Sequence, residues 1–339
     1  MQSTFNGTHD NTCFFLRLDT RAVHEVYASF IVAIAMNIIG SIPTVLLNAL
    51  VVLAIWRSAH LHSPSQMLLC NLAVTDLGVG MVSQPFYVAY KFSEINHDFV
   101  SYCWTGVTAL VSSYIFAGGS FMTLTAISLD RYLALHMGLR YKTIVTSSRV
   151  TRLILLLWVL SILLGLSQLV LSTKAFIRLI AAVMTICLVT SISAYIMAFK
   201  ELKRHQARVT TSHRDPTSLD PMDLNKYRKS LITMVQILVL ILLSYVPYLC
   251  VSVAIAITGL NSQTRAARNI TSPILFLNSG VNPVFYIWKI REIGNACRIV
   301  IRNALHLNVV LPETHSEEES NMSRFDSRMI KSRALPVVS

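Results

Sequence analysis

The stretch WTGVTALVSSYIFAGGSFMTLTAISLDRY, residues 104–132, decides the fold. It has no charged side chain before Asp130, and it exceeds the roughly 20 apolar residues that a helix needs to cross a bilayer. It ends on Asp130-Arg131-Tyr132, where charged side chains would lie at the membrane boundary. Because charge at membrane depth is costly, such residues mark functional sites. The stretch therefore predicts a membrane-spanning helix with functional residues at its inner end.

The composition indicates an integral membrane protein. The 339 residues are 53% hydrophobic and 14% charged, whereas soluble domains carry about 25% charged residues. The mean hydropathy is +0.55. We therefore predict an all-α membrane protein, a seven-transmembrane helix bundle. Its helices one to seven are expected near 27–56, 66–90, 104–135, 150–172, 176–200, 230–258 and 270–288.

Lysine and arginine set the predicted orientation. With an extracellular N-terminus, only seven of the 29 Lys and Arg residues lie outside, as the positive-inside rule requires. The net charge of +12 then faces anionic lipid at the inner leaflet, so membrane lipid is an expected partner. This charge does not indicate nucleic-acid binding.

Four regions follow from the pattern. Residues 1–26 form an extracellular arm, and residues 27–288 form the seven-helix domain with a long cytoplasmic loop at about 201–229. Residues 289–303 place apolar side chains at helical spacing between basic ones, which predicts an amphipathic helix on the inner leaflet. Cys297 in that helix is a candidate for palmitoylation or an unmodified thiol. Residues 304–339 read as a disordered tail with candidate phosphorylation sites.

The extracellular side offers sites of modification. Cys13 and Cys103 both face the oxidising exterior, which makes a disulfide between them plausible; two free thiols are the alternative. Sequons at Asn6 and Asn269 are candidate glycosylation sites. No cysteines stand at metal-ligand spacing, so no metal site is predicted.

Polar residues recur inside the predicted helices. Buried in hydrocarbon, Asp76 must be neutralised by a proton, a cation or hydrogen bonds. Oxygen ligands around it suit a hard monovalent ion such as sodium, and a hydrated polar cluster without an ion is the alternative. The predicted set is Asn48, Asp76, Ser120, Asn278 and Asn282.

A second polar set predicts a conformational switch. Asp130 is expected to pair with Arg131 at rest, and release would turn Arg131 towards a cytoplasmic partner; an arginine that only reaches the lipid phosphates is the alternative. Tyr195 and Tyr286 stand near the same boundary. Pro85, Pro247 and Pro283 each remove a hydrogen bond in mid-helix and predict kinks, so a pivot at Pro247 could open an inner crevice.

These residues resemble the rhodopsin-like (class A) G-protein-coupled receptors over roughly 27–303. The resemblance rests on Asn48, Leu72–Asp76, Asp130–Tyr132, Leu139–Tyr141, Trp158, Tyr195, Pro247 and Asn278–Tyr286. It implies a plasma-membrane receptor, without enzyme activity, that activates a heterotrimeric G protein and binds arrestin and receptor kinases through its tail. The implied activation switch comprises Asp130, Arg131, Tyr132, Tyr195, Tyr245, Pro247, Asn282, Pro283 and Tyr286.

The chain also departs from this family's pattern. Tyr245 stands where helix six usually has tryptophan, and Gly106 stands where helix three usually has cysteine, with Cys103 three residues earlier. The acidic partner at the foot of helix six is missing, which predicts raised basal activity. The short second exterior loop resembles the melanocortin, adenosine and cannabinoid receptors.

The expected ligand is a small molecule or short peptide that binds between the outer halves of the helices. The candidate pocket residues, which could equally be core residues, are Tyr87, Lys91, Ser113, Phe116, Tyr245, Tyr248 and Phe276. An ion-coupled transporter that uses Asp76 is the alternative function. We find no nucleophile–base pair in the spanning segments, which argues against a membrane enzyme.

Overall fold

The computed structural model describes residues 12–18, 20–58, 63–211 and 221–305. Its seven long helices are helix one (Tyr27–Arg57), helix two (Pro64–Ile95), helix three (Phe99–Met137), helix four (Ser147–Val170), helix five (Thr173–Thr211), helix six (Pro221–Thr258) and helix seven (Ser262–Lys289). Shorter helices are Thr20–Glu25, Tyr141–Ile144 and Arg291–Ala304, and the strands are Thr12–Cys13 and Leu16–Arg17.

The helices form the predicted seven-helix membrane bundle. Helices one to five are each long and apolar enough to cross a bilayer. Helix six contributes a shorter apolar stretch within the described residues, Leu242–Thr258. Helix seven is more polar because its buried face carries Arg265, Asn269 and Asn282. The polar side chains of helix seven therefore face other helices, where hydrogen bonds can satisfy them.

Helix three is central to the bundle and packs against helices two, four and five, while helix seven packs against helices one and six. The outer surface is apolar, with exposed side chains such as Ile39 and Leu163. Polar side chains such as Asn48 and Asp76 are fully buried. This inverted distribution is what a lipid environment favours, since lipid solvates apolar side chains and leaves buried polar groups to pair.

Helix two has an irregular turn that proline content alone does not predict. Its residues Val79–Ser83 form a π-helix, and Pro85 follows in the first turn of the segment Gln84–Ile95. Proline has no backbone N–H, so it breaks the regular hydrogen-bond ladder there. The predicted irregularity at Pro85 therefore takes the form of a wide turn immediately before it.

A small hairpin covers one end of the bundle. Its two strands are antiparallel, with Cys13 opposite Leu16. A disulfide joins Cys13 to Cys103 of helix three, and the Tyr102 hydroxyl donates to the Arg17 carbonyl over 3.0 Å. We call this end of the bundle the hairpin end and the opposite end, where Arg131 lies, the Arg131 end.

Gly106 permits the close packing of the hairpin. A Cβ added at Gly106 would lie 2.7 Å from both Leu16 of the hairpin and Tyr90 of helix two. Such an approach is tighter than any real side-chain contact. The glycine that replaces the family's usual cysteine therefore makes room for Leu16, while Cys103 provides the covalent link.

The range 201–229, where a long cytoplasmic loop is predicted, is partly helical. Helix five continues to Thr211 and helix six begins at Pro221, so only residues 212–220 lie between them. Both helices extend because their polar ends can leave the membrane and remain helical in water.

The amphipathic helix after helix seven is present as Arg291–Ala304, separated from helix seven by Ile290. Residues up to Val300 belong to one compact unit, and Ile301 begins a second, of which only Ile301–Leu305 are described. The disordered tail predicted at 304–339 lies almost wholly outside the described residues.

The palmitoylation candidate in this helix is wrong in this structure. Cys297 is 1% exposed and packs in the hydrophobic core with Ile293 and Val300. Burial raises the pKa of its thiol to about 11, and the thiolate rather than the thiol is the nucleophile. Cys297 is therefore a packing residue of the bundle and not a lipid anchor.

Candidate functional site

Asp130 is the centre of a hydrogen-bond network at the Arg131 end. Its Oδ2 accepts hydrogen bonds from Ser65 over 2.7 Å and from Arg131 over 2.9 Å. Its Oδ1 accepts a hydrogen bond from the Tyr141 hydroxyl. The carboxylate therefore connects helix three to helix two and to the short helix Tyr141–Ile144, and holds Arg131 in the paired arrangement.

The Tyr141 hydroxyl is fixed as a hydrogen-bond donor. Burial, together with its hydrogen bond to Asp130, raises the pKa of Tyr141 to about 12. The phenol therefore stays protonated at any physiological pH. Sequence reasoning missed both Ser65 and Tyr141 as partners of Asp130, although Tyr141 belongs to the motif that carried the family resemblance.

Three tyrosines of the predicted switch, Tyr132, Tyr195 and Tyr286, form no hydrogen bond to Arg131 among the described residues. Tyr195 and Tyr286 are both buried. Among the described residues, the Tyr286 hydroxyl and Arg131 Nε form no hydrogen bond. Tyr132 stacks on His136, with ring centroids 5.4 Å apart. The Tyr286 hydroxyl is thus available to a new partner if Arg131 leaves Asp130, whereas Tyr195 already interacts with Ser128.

A second polar network lies in the middle of the bundle. Asn282 of helix seven donates to Asp76 Oδ2 over 2.8 Å, and Asn48 of helix one donates to the Ser279 carbonyl over 3.0 Å. The hydroxyls of Ser120 and Ser279 lie near enough to interact with Asp76. The predicted residues Asn48, Asp76, Ser120 and Asn282 therefore meet at one place, with Pro283 directly after Asn282.

This network retains oxygen atoms that could bind a cation. Within the described residues, Asp76 Oδ1 and Asn48 Oδ1 are buried without a hydrogen-bond partner. Asn278 is buried, but its side chain forms no hydrogen bond in the described part of the chain. Ser279, which the prediction omitted, takes its place beside Asp76.

Two neighbouring cavities lie between the network and the hairpin end. The empty space, including the part open to solvent, is about 700 Å³ in the inner chamber and about 560 Å³ in the outer vestibule. The inner chamber is lined by Leu110, Ser113, Tyr114, Ala117, Gly118, Phe121, Leu164, Ile180, Val183, Met184, Tyr245, Tyr248, Ser272, Leu275 and Phe276. The outer vestibule is lined by Phe15, Leu16, Tyr114, Gln168, Leu171, Thr173, Phe176, Ile177, Tyr248, Ser252, Ile255 and Arg268. Tyr114 and Tyr248 line both, and their hydroxyls are 3.0 Å apart.

Tyr245 connects the inner chamber to the kink in helix six. Its hydroxyl donates to the Ala117 carbonyl of helix three over 3.1 Å, and its ring stacks on Phe121 with centroids 5.2 Å apart. Pro247 lies two residues further along the same helix. A ligand in the chamber would therefore contact the residue that ties the kinked part of helix six to helix three.

Four of the seven predicted pocket residues, Ser113, Tyr245, Tyr248 and Phe276, line the inner chamber. Tyr87, Lys91 and Phe116 line neither of these two cavities.

Each of these three residues is engaged elsewhere. Tyr87 is buried with its ring edge against Phe276. Lys91 is buried, with its Nζ 2.8 Å from Glu94. Phe116 packs on Trp158 of helix four, with ring centroids 6.2 Å apart.

Glu94 organises a buried charged cluster that the sequence did not reveal. Its carboxylate pairs with Lys91 of the same helix and with Arg265 of helix seven. The Lys91 ammonium also lies 4.5 Å from the centre of the Tyr90 ring, a cation–π contact. The cluster therefore joins helices two and seven near the hairpin end.

The glycosylation candidate Asn269 is also wrong. It lies inside helix seven, fully buried, and its side-chain nitrogen donates to Ser29 of helix one over 3.0 Å. A glycan needs that nitrogen at an accessible surface. The other candidate, Asn6, lies outside the described residues.

One family model and several individual receptors are similar to parts of this chain. Residues 47–178 match the family model "7 transmembrane receptor (rhodopsin family)". Adenosine receptor A2b of Canis lupus familiaris is 35% identical over 120 residues, which are 35% of each protein. Adenosine receptor A2b of Rattus norvegicus is 33% identical over 134 residues, 40% of this chain and 39% of that receptor. Melanocortin receptor 3 of Homo sapiens is 24% identical over 282 residues, 79% of this chain and 84% of that receptor.

The matches to the adenosine receptors span little more than a third of those relatives' length, whereas the match to the melanocortin receptor spans most of both chains. The matching region contains Asn48, Asp76 and the Asp130–Arg131 pair, whose geometry is described above. This family consists of receptors and not of enzymes. The chain is a multi-pass membrane protein whose residues 47–178 are similar to the rhodopsin family of seven-transmembrane receptors.

Proposed function

We propose that this protein is a G-protein-coupled receptor of the plasma membrane with its hairpin end outside the cell. An extracellular small molecule or short peptide would bind in the inner chamber and activate a heterotrimeric G protein at the Arg131 end. The observation that carries this proposal is the Asp130 network, which holds Arg131 in a paired arrangement that activation could open. A charged pair with such partners at the end of a spanning helix is typical of a switch.

The mechanism follows from the position of Tyr245. A ligand that binds better when the bond between Tyr245 and the Ala117 carbonyl is broken would favour a second arrangement of helix six. The helix could then pivot at Pro247, where a backbone hydrogen bond is already missing. Its movement would open a crevice near Arg131, Tyr195 and Tyr286, into which a segment of the G protein could insert.

The remaining partners are proposed on the same basis. Receptor kinases would phosphorylate serines of the tail, residues 304–339, and arrestin would then bind the phosphorylated tail. Membrane lipid would contact the apolar outer surface of the bundle. The adenosine and melanocortin receptors show by their names that relatives bind chemically different ligands, so neither name assigns a ligand to this chain.

A sodium ion is a proposed allosteric ligand of the Asp76 network. The unpartnered oxygens Asp76 Oδ1 and Asn48 Oδ1 and the nearby serine hydroxyls are the hard oxygen donors that such a cation prefers. If sodium binds there, sodium chloride should raise the melting temperature of the purified protein more than N-methylglucamine chloride does. Asp76→Asn should abolish that difference, and a difference of unchanged size would contradict the proposal.

Signalling in cells tests the proposed function. We expect cells that express the wild type to show a basal change in cAMP or calcium, and Arg131→Ala to remove it at equal surface expression. Lys289→Ala is a matched control, because its ammonium lies over Trp288 and takes no part in the network. A sodium-dependent ion flux through the protein, with no second-messenger signal, would instead support the transporter function.

A further inference from the structure

Arg268 is the cationic side chain of the outer vestibule. It is half-buried on helix seven and lines the cavity. Four tyrosines lie near its guanidinium: Tyr248, Tyr90, Tyr114 and Tyr87. These rings carry no negative charge at neutral pH, since free phenols titrate near pH 10. Arg268 thus lies in a largely apolar cavity wall without a neutralising anion among these neighbours.

No carboxylate in the described part of the chain pairs with Arg268. The acidic residue of this region, Glu94, already binds Lys91 through Oε2 and Arg265 through Oε1. Both of its oxygens are therefore occupied. A guanidinium that is removed from bulk water and left without a counter-ion carries a desolvation cost, and an anion that enters the cavity would offset that cost. Arginine also suits carboxylates because its planar fork donates two parallel hydrogen bonds.

The inner chamber differs from the outer vestibule in the polarity of its walls. Its walls are mainly apolar, with side chains such as Leu110, Phe121 and Met184. The two cavities share Tyr114 and Tyr248, whose hydroxyls are hydrogen-bonded to each other. A ligand that separates these two side chains could extend from the apolar chamber to Arg268.

We propose that the ligand is an amphipathic carboxylate, whose apolar body fills the inner chamber and whose carboxylate binds Arg268 in the outer vestibule. This inference rests on the proposed function and adds the chemical class of its ligand. Gln168 supplies a second polar contact to the carboxylate end. Its amide lines the same vestibule, and its Oε1 is buried without a hydrogen-bond partner among the described residues. A half-turn of the amide would direct its N–H groups into the cavity instead.

Ligand-induced thermal stabilisation of the purified full chain tests the inference. The protein would be placed in phosphatidylcholine nanodiscs, whose lipid has no net charge. The probes are laurate, oleate and retinoate, each beside its methyl ester, which keeps the apolar body and removes the charge. We expect at least one acid to raise the melting temperature and its ester to bind at least about tenfold more weakly, as loss of a charge-assisted hydrogen bond implies.

Variants assign the effect to the guanidinium. Arg268→Gln should weaken binding of the acid by at least about tenfold and leave binding of the ester unchanged. Arg268→Lys should keep part of the affinity because it keeps the charge. Arg178→Gln is the matched control, since Arg178 is exposed at the start of helix five and lines neither cavity.

Three results would overturn the inference: no acid stabilises the wild type, the esters stabilise it as well as the acids, or Arg268→Gln binds the acids like the wild type. The ester comparison and Arg268→Lys keep the test decisive even if Arg268→Gln fails to fold. Thermal stabilisation needs no G protein. Acid binding that depends on Arg268, without any nucleotide exchange, would therefore support the ligand class and refute only the proposed function.

Discussion

Individual buried carboxylates join elements of this protein at both ends. Asp130 ties helices two and three together at the Arg131 end. Glu94 ties helices two and seven together at the hairpin end. Removing one member of a buried ion pair leaves the other charge uncompensated, which is more costly than never having built the pair. Each carboxylate is therefore a point where a single substitution has a large effect.

For Glu94 this predicts a loss of stability. Glu94→Gln leaves the buried ammonium of Lys91 without a carboxylate, so we expect the free energy of unfolding to fall by about 3–5 kcal/mol. The measurement is the melting temperature in nanodiscs. Glu25→Gln is the control, because Glu25 is exposed and loses only a surface hydrogen bond to Ser262. Equal melting temperatures for the two variants would show that the Glu94 cluster does not stabilise the bundle.

A functional residue can be recognised in the sequence when its polarity differs from that of its neighbours. Asp76, Asp130 and Asn282 stand out because each interrupts an apolar run. Glu94 and Arg268 do not stand out, because they lie near predicted loops where charge is ordinary. Phe116 does not line the chamber because the lining face of helix three follows Leu110, Tyr114, Ala117 and Phe121, and at 3.6 residues per turn Phe116 lies about 100° beyond the nearest of these residues. Which face of a helix lines a cavity depends on the neighbouring helices, so spacing in the sequence alone does not determine it.

At the scale of elements, glycines set how closely helices three and four approach. A Cβ added at Gly165 of helix four would collide with Ile115 and lie 3.0 Å from the Val111 carbonyl of helix three. At Gly118, which lies on helix three, the nearest atom would be 3.7 Å away, an ordinary contact. Small residues allow this close packing of helix backbones in membranes, where dispersion forces replace the hydrophobic effect.

The two glycines therefore make a matched pair. We expect Gly165→Ala to lower the free energy of unfolding by about 1–3 kcal/mol because the helices must separate. Gly118→Ala should be neutral or stabilising by up to about 1 kcal/mol, since alanine favours a helix. Thermal unfolding of the two variants beside the wild type measures both. A Gly165→Ala protein as stable as Gly118→Ala would mean that the contact between helices three and four is looser than described.

The helix Arg291–Ala304 leads to a prediction about lipidation. Because Cys297 faces the core and its thiol stays protonated at neutral pH, we expect it to take up no palmitate. Cells grown with an alkyne-labelled palmitate should give equal labelling of the wild type and Cys297→Ser. Labelling that disappears in Cys297→Ser would show that this helix turns its cysteine towards the membrane.

For the whole molecule, the hairpin is constrained by one covalent link. The disulfide between Cys13 and Cys103 closes a loop with a sequence separation of 90 residues. Peptide mass spectrometry after alkylation should find Cys13 and Cys103 unmodified unless a reductant is added first, whereas the exposed free thiol of Cys250 can be alkylated without reduction. Cys13→Ser should lower the melting temperature, because the uncrosslinked chain gains entropy when it unfolds. Alkylation of both cysteines without reduction would contradict the link.

The seven spans could be predicted from the sequence more reliably than the contacts between them. Seven spans follow from length and hydropathy, since each helix must satisfy its own backbone in lipid. The π-turn Val79–Ser83 and the burial of Cys297 and Asn269 do not follow, because they depend on contacts between helices that are distant in sequence. The cavities could not be predicted for the same reason, because their walls combine side chains from helices three to seven.

Nucleotide exchange on a purified G protein tests the central claim, that the Asp130–Arg131 pair restrains a receptor able to activate a G protein. The wild type, Asp130→Asn and the double variant Asp130→Asn/Arg131→Ala would be compared in nanodiscs without ligand. A neutral amide at position 130 cannot hold Arg131 by charge, so we predict that Asp130→Asn raises the exchange rate on at least one G-protein class and that the added Arg131→Ala abolishes the increase. Equal exchange rates for all three proteins on every G-protein class would contradict the claim.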